Sequence, residues 1–475
     1  MSDIPLHDRL TACFRRYSIL CLVANFAVAS PTDYFVSPIG SNQNPGTAER
    51  PFQTIEKGLS ALKPGDALVI RDGQYSGKAN ALRNFPRGTV ENYIHIKAEN
   101  PGKVILSGGL LLDRDSSYLI FEGLRFHGQE TKRILGRNIK FFRNEFKGGP
   151  ARGNVETVCI GTNDFTPGAE FVLLEDNWVH GSGGRYKILV YNSNAVILRR
   201  VLVRFDGFDP GNIAPAADIA IYDSKNIEIQ NAISIDGIGG ELSRGYVAAF
   251  YNVCNRTTLT PNLNISWRGI LAINPPGYLM GTEGQCETVN LIVEDAASFG
   301  GMYGISQLNA GNAQYNRLTI VGTKGDGVGI FGGTGSVRDS VVRGADGRAF
   351  KGVLPTNSVA FANRGGSYGA SMLDPMSNGL RYLPRIEVGS TLAKGGARDG
   401  QRGAQINRRI GKVGSLFGES GYADISSVEL WPFPNEHRIK EEMCMDEGNR
   451  RGFCAHNGTI TAYIFSLLGN ASPYP

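Results

Sequence analysis

The chain has 475 residues, 62 of them glycine and 22 proline, with a formal charge of +5. That length allows a large core in one long domain or two. The charge is spread without a long basic run, which argues against nucleic acid as a partner, since that role needs Lys and Arg clustered on one face.

Residues 1–30 read as a secretory signal. Arg15 and Arg16 form the positive flank, 18–28 the apolar core, and Ala27-Val28-Ala29 the small-residue cleavage pattern. The apolar run is about half of what a spanning helix needs, so cleavage is expected rather than anchorage. No other stretch is long enough to span a bilayer. The expected location is therefore secreted or periplasmic. Removing the signal takes away Cys13 and Cys21 and leaves Cys159, Cys254, Cys286, Cys444 and Cys454. An odd number leaves at least one unpaired, and an oxidising compartment permits the others to bridge. Cys444 and Cys454 are close together in a polar tail and pair first. Cys254 and Cys286 can pair if they lie on adjacent coils. Five free, buried thiols are the alternative.

Residues 34–77 read YFVSPIGSNQNPGTAERPFQTIEKGLSALKPGDALVIRDGQYSG. A strand at 34–38 runs into a Gly/Asn/Pro loop. Pro51-Phe52-Gln53-Thr54-Ile55 then opens an amphipathic helix with Ile55, Leu59 and Leu62 on one face. Pro64-Gly65-Asp66 turns the chain into a second strand at 67–71, and Asp72-Gly73 turns it again. The pattern VSPxG, then nPGT, then rPFqTI, then lkPGD with a following dGxY resembles the N-terminal cap of the pectate-lyase-like superfamily. These are extracellular right-handed parallel β-helix proteins. The resemblance covers the cap closely and the later coils by their style. It implies an all-β, single-stranded right-handed parallel β-helix with an N-terminal helical cap, and a polysaccharide or oligosaccharide as the partner.

After residue 77 one short pattern keeps returning: apolar, any, apolar, two polar residues, then a small one. It appears as Leu119-Ile120-Phe121-Glu122-Gly123, as Val172-Leu173-Leu174-Glu175-Asp176-Asn177 and as Ile227-Glu228-Ile229-Gln230-Asn231. The spacing is roughly 20 to 33 residues, the range of stacked repeats. No unit can bury its apolar face alone, so stacking into coils is expected. From about Gly344 the repeat fades. Residues 364–420 are Gly-, Arg- and Ser-rich and read as a long loop lying on the surface. Helices are expected at 438–443 and 460–468, in a tail that covers the exposed end of the stack. The division is then a signal at 1–30, a β-helix with its cap at 31–345, and an extended segment with a C-terminal cap at 346–475.

Strands beginning at Thr157, Lys187, Asp218 and Tyr246 align. Val158/Ile160, Ile188/Val190, Ile219/Ile221 and Val247/Ala249 are expected to point inward, and their neighbours outward. One outward column is Thr157, Lys187, Asp218, Tyr246. Another is Gly161, Tyr191, Tyr222, Phe250. A cross-strand salt bridge and an aromatic ladder would account for both columns. The turns entering these strands carry His180, Asp206 and Asp236 and lead to Arg185, Asp209, Glu241 and Arg244. This concentration supports a functional expectation.

In lyase chemistry a cation neutralises a uronate carboxylate and a base removes the adjacent proton. Lys187 or Tyr246 would be the base, His180 a further acid–base candidate, and Arg185 or Arg244 the neutraliser. Tyr191, Tyr222, Phe250 and Glu241 would bind the sugar, and Asp206, Asp209, Asp218 and Asp236 would hold Ca²⁺ through hard oxygen ligands. In hydrolase chemistry two of the carboxylates would serve as acid and as base or nucleophile. A monomeric lyase on an acidic glycan ranks first. A glycoside hydrolase and a non-catalytic glycan-binding or adhesive module remain open.

Overall fold

A computed structural model describes residues 30–150, 153–162, 164, 166–207, 216–238, 247–255, 257–365, 373–445 and 450–475. Residues 1–29, nearly all of the signal expected at 1–30, and the site candidates Asp209, Glu241, Arg244 and Tyr246 lie outside the described residues.

Each coil contributes one strand to a ten-stranded sheet and two to a second, longer one. A representative coil runs Tyr186–Tyr191, Asn194–Arg199, Leu202–Val203. The next runs Ala216–Tyr222, Lys225–Gln230, Ile233–Ile235. Strand pairs with strand in parallel, so Ile188 lies on Ile219, Val196 on Ile227 and Val203 on Ser234. The result is a parallel β-helix, wound in the right-handed sense that parallel crossovers take. Period-two apolar residues from all three strands of each coil meet in one continuous core along the axis.

The turns explain the polar pair in the repeat. Asp176, Arg200 and Asn231 occupy equivalent positions at φ 59°, 49° and 52°, and Gly269 follows at 66°. A left-handed residue ends the strand and redirects the chain, and Asn, Asp and Gly tolerate it best. Beside it, buried Asn144 donates to the Phe121 carbonyl (3.0 Å) and to Asn177 Oδ1 (3.1 Å), which satisfies turn groups inside the core.

At the N-terminal end, helix α1 (Ile55–Leu59) is capped by Thr54, whose Oγ1 accepts from the Lys57 amide. It is only one and a half turns long, yet Ile55, Leu59 and the following Leu62 are all buried. A Cβ on Gly58 would come within 2.5 Å of Leu68, so glycine lets the helix lie directly on the first strands. Those are Asp33–Val36 and Ala67–Ile70, paired in parallel.

The C-terminal hundred residues hold more order than a surface loop. Strands Arg408–Ile410 and Ile425–Glu429 pair antiparallel, and helices α2 (Glu436–Met443) and α3 (Ile460–Ser466) follow. Residues 373–420 lie along the surface of the coils as expected, whereas the tail from 425 on was expected over the end of the stack and instead has its apolar partners along the flank. Leu380, Leu383, Ile406, Trp431, Phe453 and Phe465 pack in one cluster with Trp178, Leu202, Ile233, Leu271, Val341 and Val359. The latter six are outward residues of the third strand, in one register row that Ala297 and Thr319 complete between Leu271 and Val341. These strands are therefore buried on both faces, which is why Ile270–Ile273 reads as a continuous apolar run. Cys444–Cys454 closes a loop within the tail, and Cys254–Cys286 links neighbouring coils, with Cα separations of 5.3 and 6.0 Å. Cys159 is buried and free. No helix among the described residues is long and apolar enough to cross a membrane.

Candidate functional site

Two outward surfaces carry charge, and the expected site residues are divided between them. The first is the flank beneath the tail. Glu145 sits at its centre, with both oxygens used: Arg125 and His127 (2.7 Å) meet one and His180 (2.8 Å) the other. Burial pushes its carboxyl up, but the hydrogen bonds from His127 and His180 outweigh that and hold it well below the ordinary range. Burial likewise pulls the His180 imidazolium down, and Asp206 with Glu145 raises it above its usual value. Asp206 lies 2.6 Å from Arg204 and 2.7 Å from Arg451 of the tail, and accepts from the Gly181 amide at 2.8 Å. Asp236 accepts from the Phe453 amide, Asn274 and Tyr463, each at 2.8 Å.

These contacts correct the sequence reading. His180 is fully buried on the flank, between Glu145 and Asp206. Asp206 and Asp236 anchor the tail, and cationic and N–H donors already fill their coordination. Asp218 is fully buried and accepts from Ser234 at 2.5 Å. The described members of the expected Ca²⁺ set thus do not fit a calcium site, and among the described residues no three His, Cys, Asp or Glu groups gather as metal ligands. Lys187 is also fully buried. Its Nζ donates to the Gly181 and Gly183 carbonyls (2.7 and 2.5 Å) and sits 4.5 Å from the centre of the Phe205 ring. Burial lowers its pKa to about 8, and it holds the turn together rather than facing outward. Phe250 points into the core against Trp267, with a ring separation of 5.2 Å.

The second surface is the outward face of the ten-stranded sheet. Register places Glu156 beside Tyr186, then Ala217, then Ala248. A parallel row runs Arg133, Cys159, Leu189, Ala220, Tyr251, Gly281. A third runs Gly161, Tyr191, Tyr222, Val253. Small residues therefore floor the face and tyrosines stand around them. The clearest case is Gly281: a Cβ there would come within 2.5 Å of the Tyr251 ring, so the ring lies flat on the sheet only because the residue beneath is glycine. Tyr278 and Tyr303 stack in successive strands at 5.5 Å.

Charge gathers at the Glu156 end. Glu156 is 8 % exposed, and burial pushes its carboxyl up to about 7 against the pull of Arg133 and Arg185. Among the described residues, no ion pair or side-chain hydrogen bond holds that carboxyl. The Arg185 guanidinium lies 4.8 Å from the centre of the Tyr186 ring and donates to Asn154 (2.6 Å). The Tyr186 and Tyr222 hydroxyls share a hydrogen bond of 2.5 Å. Tyr191 accepts from Asn255 at 2.6 Å, and its ring is 5.2 Å from that of Tyr222. Burial keeps Tyr186 well above its ordinary pKa and raises Tyr191 to about 12.

The structure thus brings together three expected residues, Arg185, Tyr191 and Tyr222, and adds Glu156, Arg133, Tyr186 and Tyr251. A usable signal for the last existed: an aromatic residue in one coil opposite Gly281 in the next.

Residues 51–166 match the sequence profile of the family Chondroitinase B, over less than half of the chain. The Bacillus subtilis (strain 168) protein "Uncharacterized protein YwoF" is 28 % identical over 109 residues, 23 % of this chain and 22 % of that protein. The chain therefore spans about a fifth of the length of the curated relative it matches. Among solved structures, pectate lyase Pel9A is similar at 14 % identity over 78 % of this chain and 93 % of that one, with a TM-score of 0.47. A PL6 family polysaccharide lyase from Pseudopedobacter saltans is similar at 14 % identity over 70 % and 88 %, with a TM-score of 0.39. The surface adhesin PfbA of Streptococcus pneumoniae is similar at 11 % identity over 65 % and 85 %, also at 0.39.

Proposed function

We propose that this protein is a carbohydrate-active β-helix protein, a secreted or periplasmic lyase that cleaves an acidic polysaccharide by β-elimination on the tyrosine-walled face. The observation that carries this reading is the juxtaposition of Glu156, Arg133 and Arg185 with the Tyr186–Tyr222 hydroxyl pair on one sheet face. The Chondroitinase B match supports it, and the two disulfides suit an oxidising compartment.

The chemistry follows from those groups. The apolar C–H face of a sugar ring lies against the partly exposed Tyr191, which the buried rings of Tyr222 and Tyr251 support from the sheet. Arg133 and Arg185 meet a uronate carboxylate and stabilise the charge that develops there as the neighbouring carbon loses its proton. Glu156, poised near neutral pH, takes that proton as its carboxylate. The bond from the next carbon to the glycosidic oxygen then breaks. That oxygen receives a proton from Tyr222, whose hydroxyl is hydrogen-bonded to Tyr186. The products are an unsaturated sugar and a new hydroxyl end. No step passes through a metal ion. Tyr246, outside the described residues, is the remaining acid–base candidate from the sequence.

The test is ultraviolet absorbance of the unsaturated product on alginate, pectate and chondroitin, with and without Ca²⁺. Wild-type protein should give a rise on at least one polymer. Glu156→Gln and Tyr222→Phe should lower turnover by ~10²–10⁴-fold with the fold intact. Binding without any rise would replace the lyase by a glycan-binding module, a reading the structural roles of Lys187, His180 and Asp218 favour. Wild-type turnover in both variants would remove the assigned roles.

A further inference from the structure

The tyrosine face continues past the Glu156 end. Six strand spacings of about 4.8 Å separate the strand of Glu156 from Val328–Ile330, or roughly 29 Å along the axis. There the same device recurs. A Cβ on Gly329 would come within 2.6 Å of the Phe331 ring, so that ring lies flat over the sheet. Phe331 is 48 % exposed, an unusual state for an ordered phenylalanine beside a well-packed core. Lys351 pairs in register with Gly329 and places its ammonium 5.0 Å from the centre of the Phe331 ring. Asp326 Oδ2 lies 3.3 Å from Lys351 Nζ, while Oδ1 accepts from the Arg348 amide at 2.8 Å. An exposed aromatic plane is thus flanked by one fixed donor and one fixed acceptor. Tyr303 and Tyr278 connect this group to the rest of the face.

We propose that Phe331, Lys351 and Asp326 form a distal sugar subsite for the same glycan. The ring takes the apolar face of a sugar residue, and the Lys351–Asp326 pair bridges two adjacent hydroxyls, one accepting and one donating. A chain seated at both ends must run along the helix axis. The protein then recognises the interior of a long polymer and favours it over short fragments. A salt bridge that merely tidies a surface would not need a bare aromatic ring beside it, and pairs of this exposure contribute little to stability. This inference rests on the glycan reading given above.

The experiment compares binding of size-fractionated alginate, pectate and chondroitin oligosaccharides, from disaccharide to decasaccharide and beyond, by calorimetry. Wild-type protein should bind the long fractions of one polymer about tenfold more tightly than its short ones. In Phe331→Ala and Lys351→Ala that long-to-short ratio should fall towards one, while Phe331→Tyr should retain it. An unchanged ratio in both alanine variants overturns the distal subsite and leaves the glycan reading standing. No binding of any fraction by the wild-type protein overturns both.

Discussion

The flank under the tail and the face of the ten-stranded sheet are both outward surfaces of the same coils, and both are rich in charge and aromatic rings. They differ in what completes them. On the flank Glu145, Asp206 and Asp236 each meet a cation or an N–H donor, many of them from the tail, whereas buried Asp218 accepts from the Ser234 hydroxyl alone. Glu145 serves three partners, and Asp206 binds Arg204, Arg451 and a backbone amide. On the face, Glu156 has two arginines in its electrostatic neighbourhood and its own backbone amide as a donor, and no ion pair among the described residues. A raised carboxyl does not itself separate the two surfaces. Glu442 is also pushed up to about 7, by burial and by Glu145, yet Trp178 and Arg438 take its oxygens. Perturbed groups occur both in structural networks and in working sites. The discriminating property is whether the protein has already supplied the partner.

The largest expected effect breaks the flank. Glu145→Ala would leave buried Arg125 and His180 and half-buried His127 around a missing counter-charge. Removing one member of such a network costs about 3–5 kcal/mol. Chemical denaturation should show that loss, and binding of glycans by the protein that remains folded should be unaltered. A loss under 1 kcal/mol would mean that water or the tail reorganises to replace the carboxylate. A smaller effect is expected where the tail is held by fewer bonds. Asp236→Ala removes the acceptor for the Phe453 amide, Asn274 and Tyr463 and should cost about 1–3 kcal/mol. Hydrogen exchange should then rise first in α3 and around Phe453, ahead of the coils.

Much of the core was legible because strand alternation is strict where one face is buried. Val158/Ile160, Ile188/Val190 and Ile219/Ile221 point inward as their spacing implies. The fourth strand failed for a specific reason. Val247-Ala248-Ala249-Phe250-Tyr251 is apolar at both parities, so period two gives no unique register, and the structure pairs Ile219 with Phe250 rather than Val247. Lys187 failed differently. Tyr186 and Leu189 both reach the outward cluster, so alternation breaks between them and the lysine turns to the carbonyls of the preceding turn. His180, Asp206 and Asp236 were misplaced because partners that fix them, Glu145, Arg451 and Phe453, are remote in sequence. Asp236 and Phe453 are 217 positions apart, and no local pattern announces such a contact.

The finest test of the comparison is the pH dependence of stability, because the two surfaces predict opposite signs. Glu156 keeps its proton in the folded state up to about 7, whereas an unfolded glutamate releases it near 4.5. Between those values the folded protein binds more protons than the unfolded chain, so this group's contribution is present at low pH and is lost as pH rises through about 7. Glu145 behaves in the reverse sense. Its carboxyl is held low, so its contribution is present above the unfolded value and disappears as pH falls through the folded one. Glu156→Gln should therefore flatten the decline in stability between about 4.5 and 7 and leave the acid limb unchanged. Denaturation midpoints across that range, measured for both proteins, separate the two contributions. A Gln variant whose profile overlays the wild type would mean that Glu156 is already paired when folded, and the face would then be as complete as the flank.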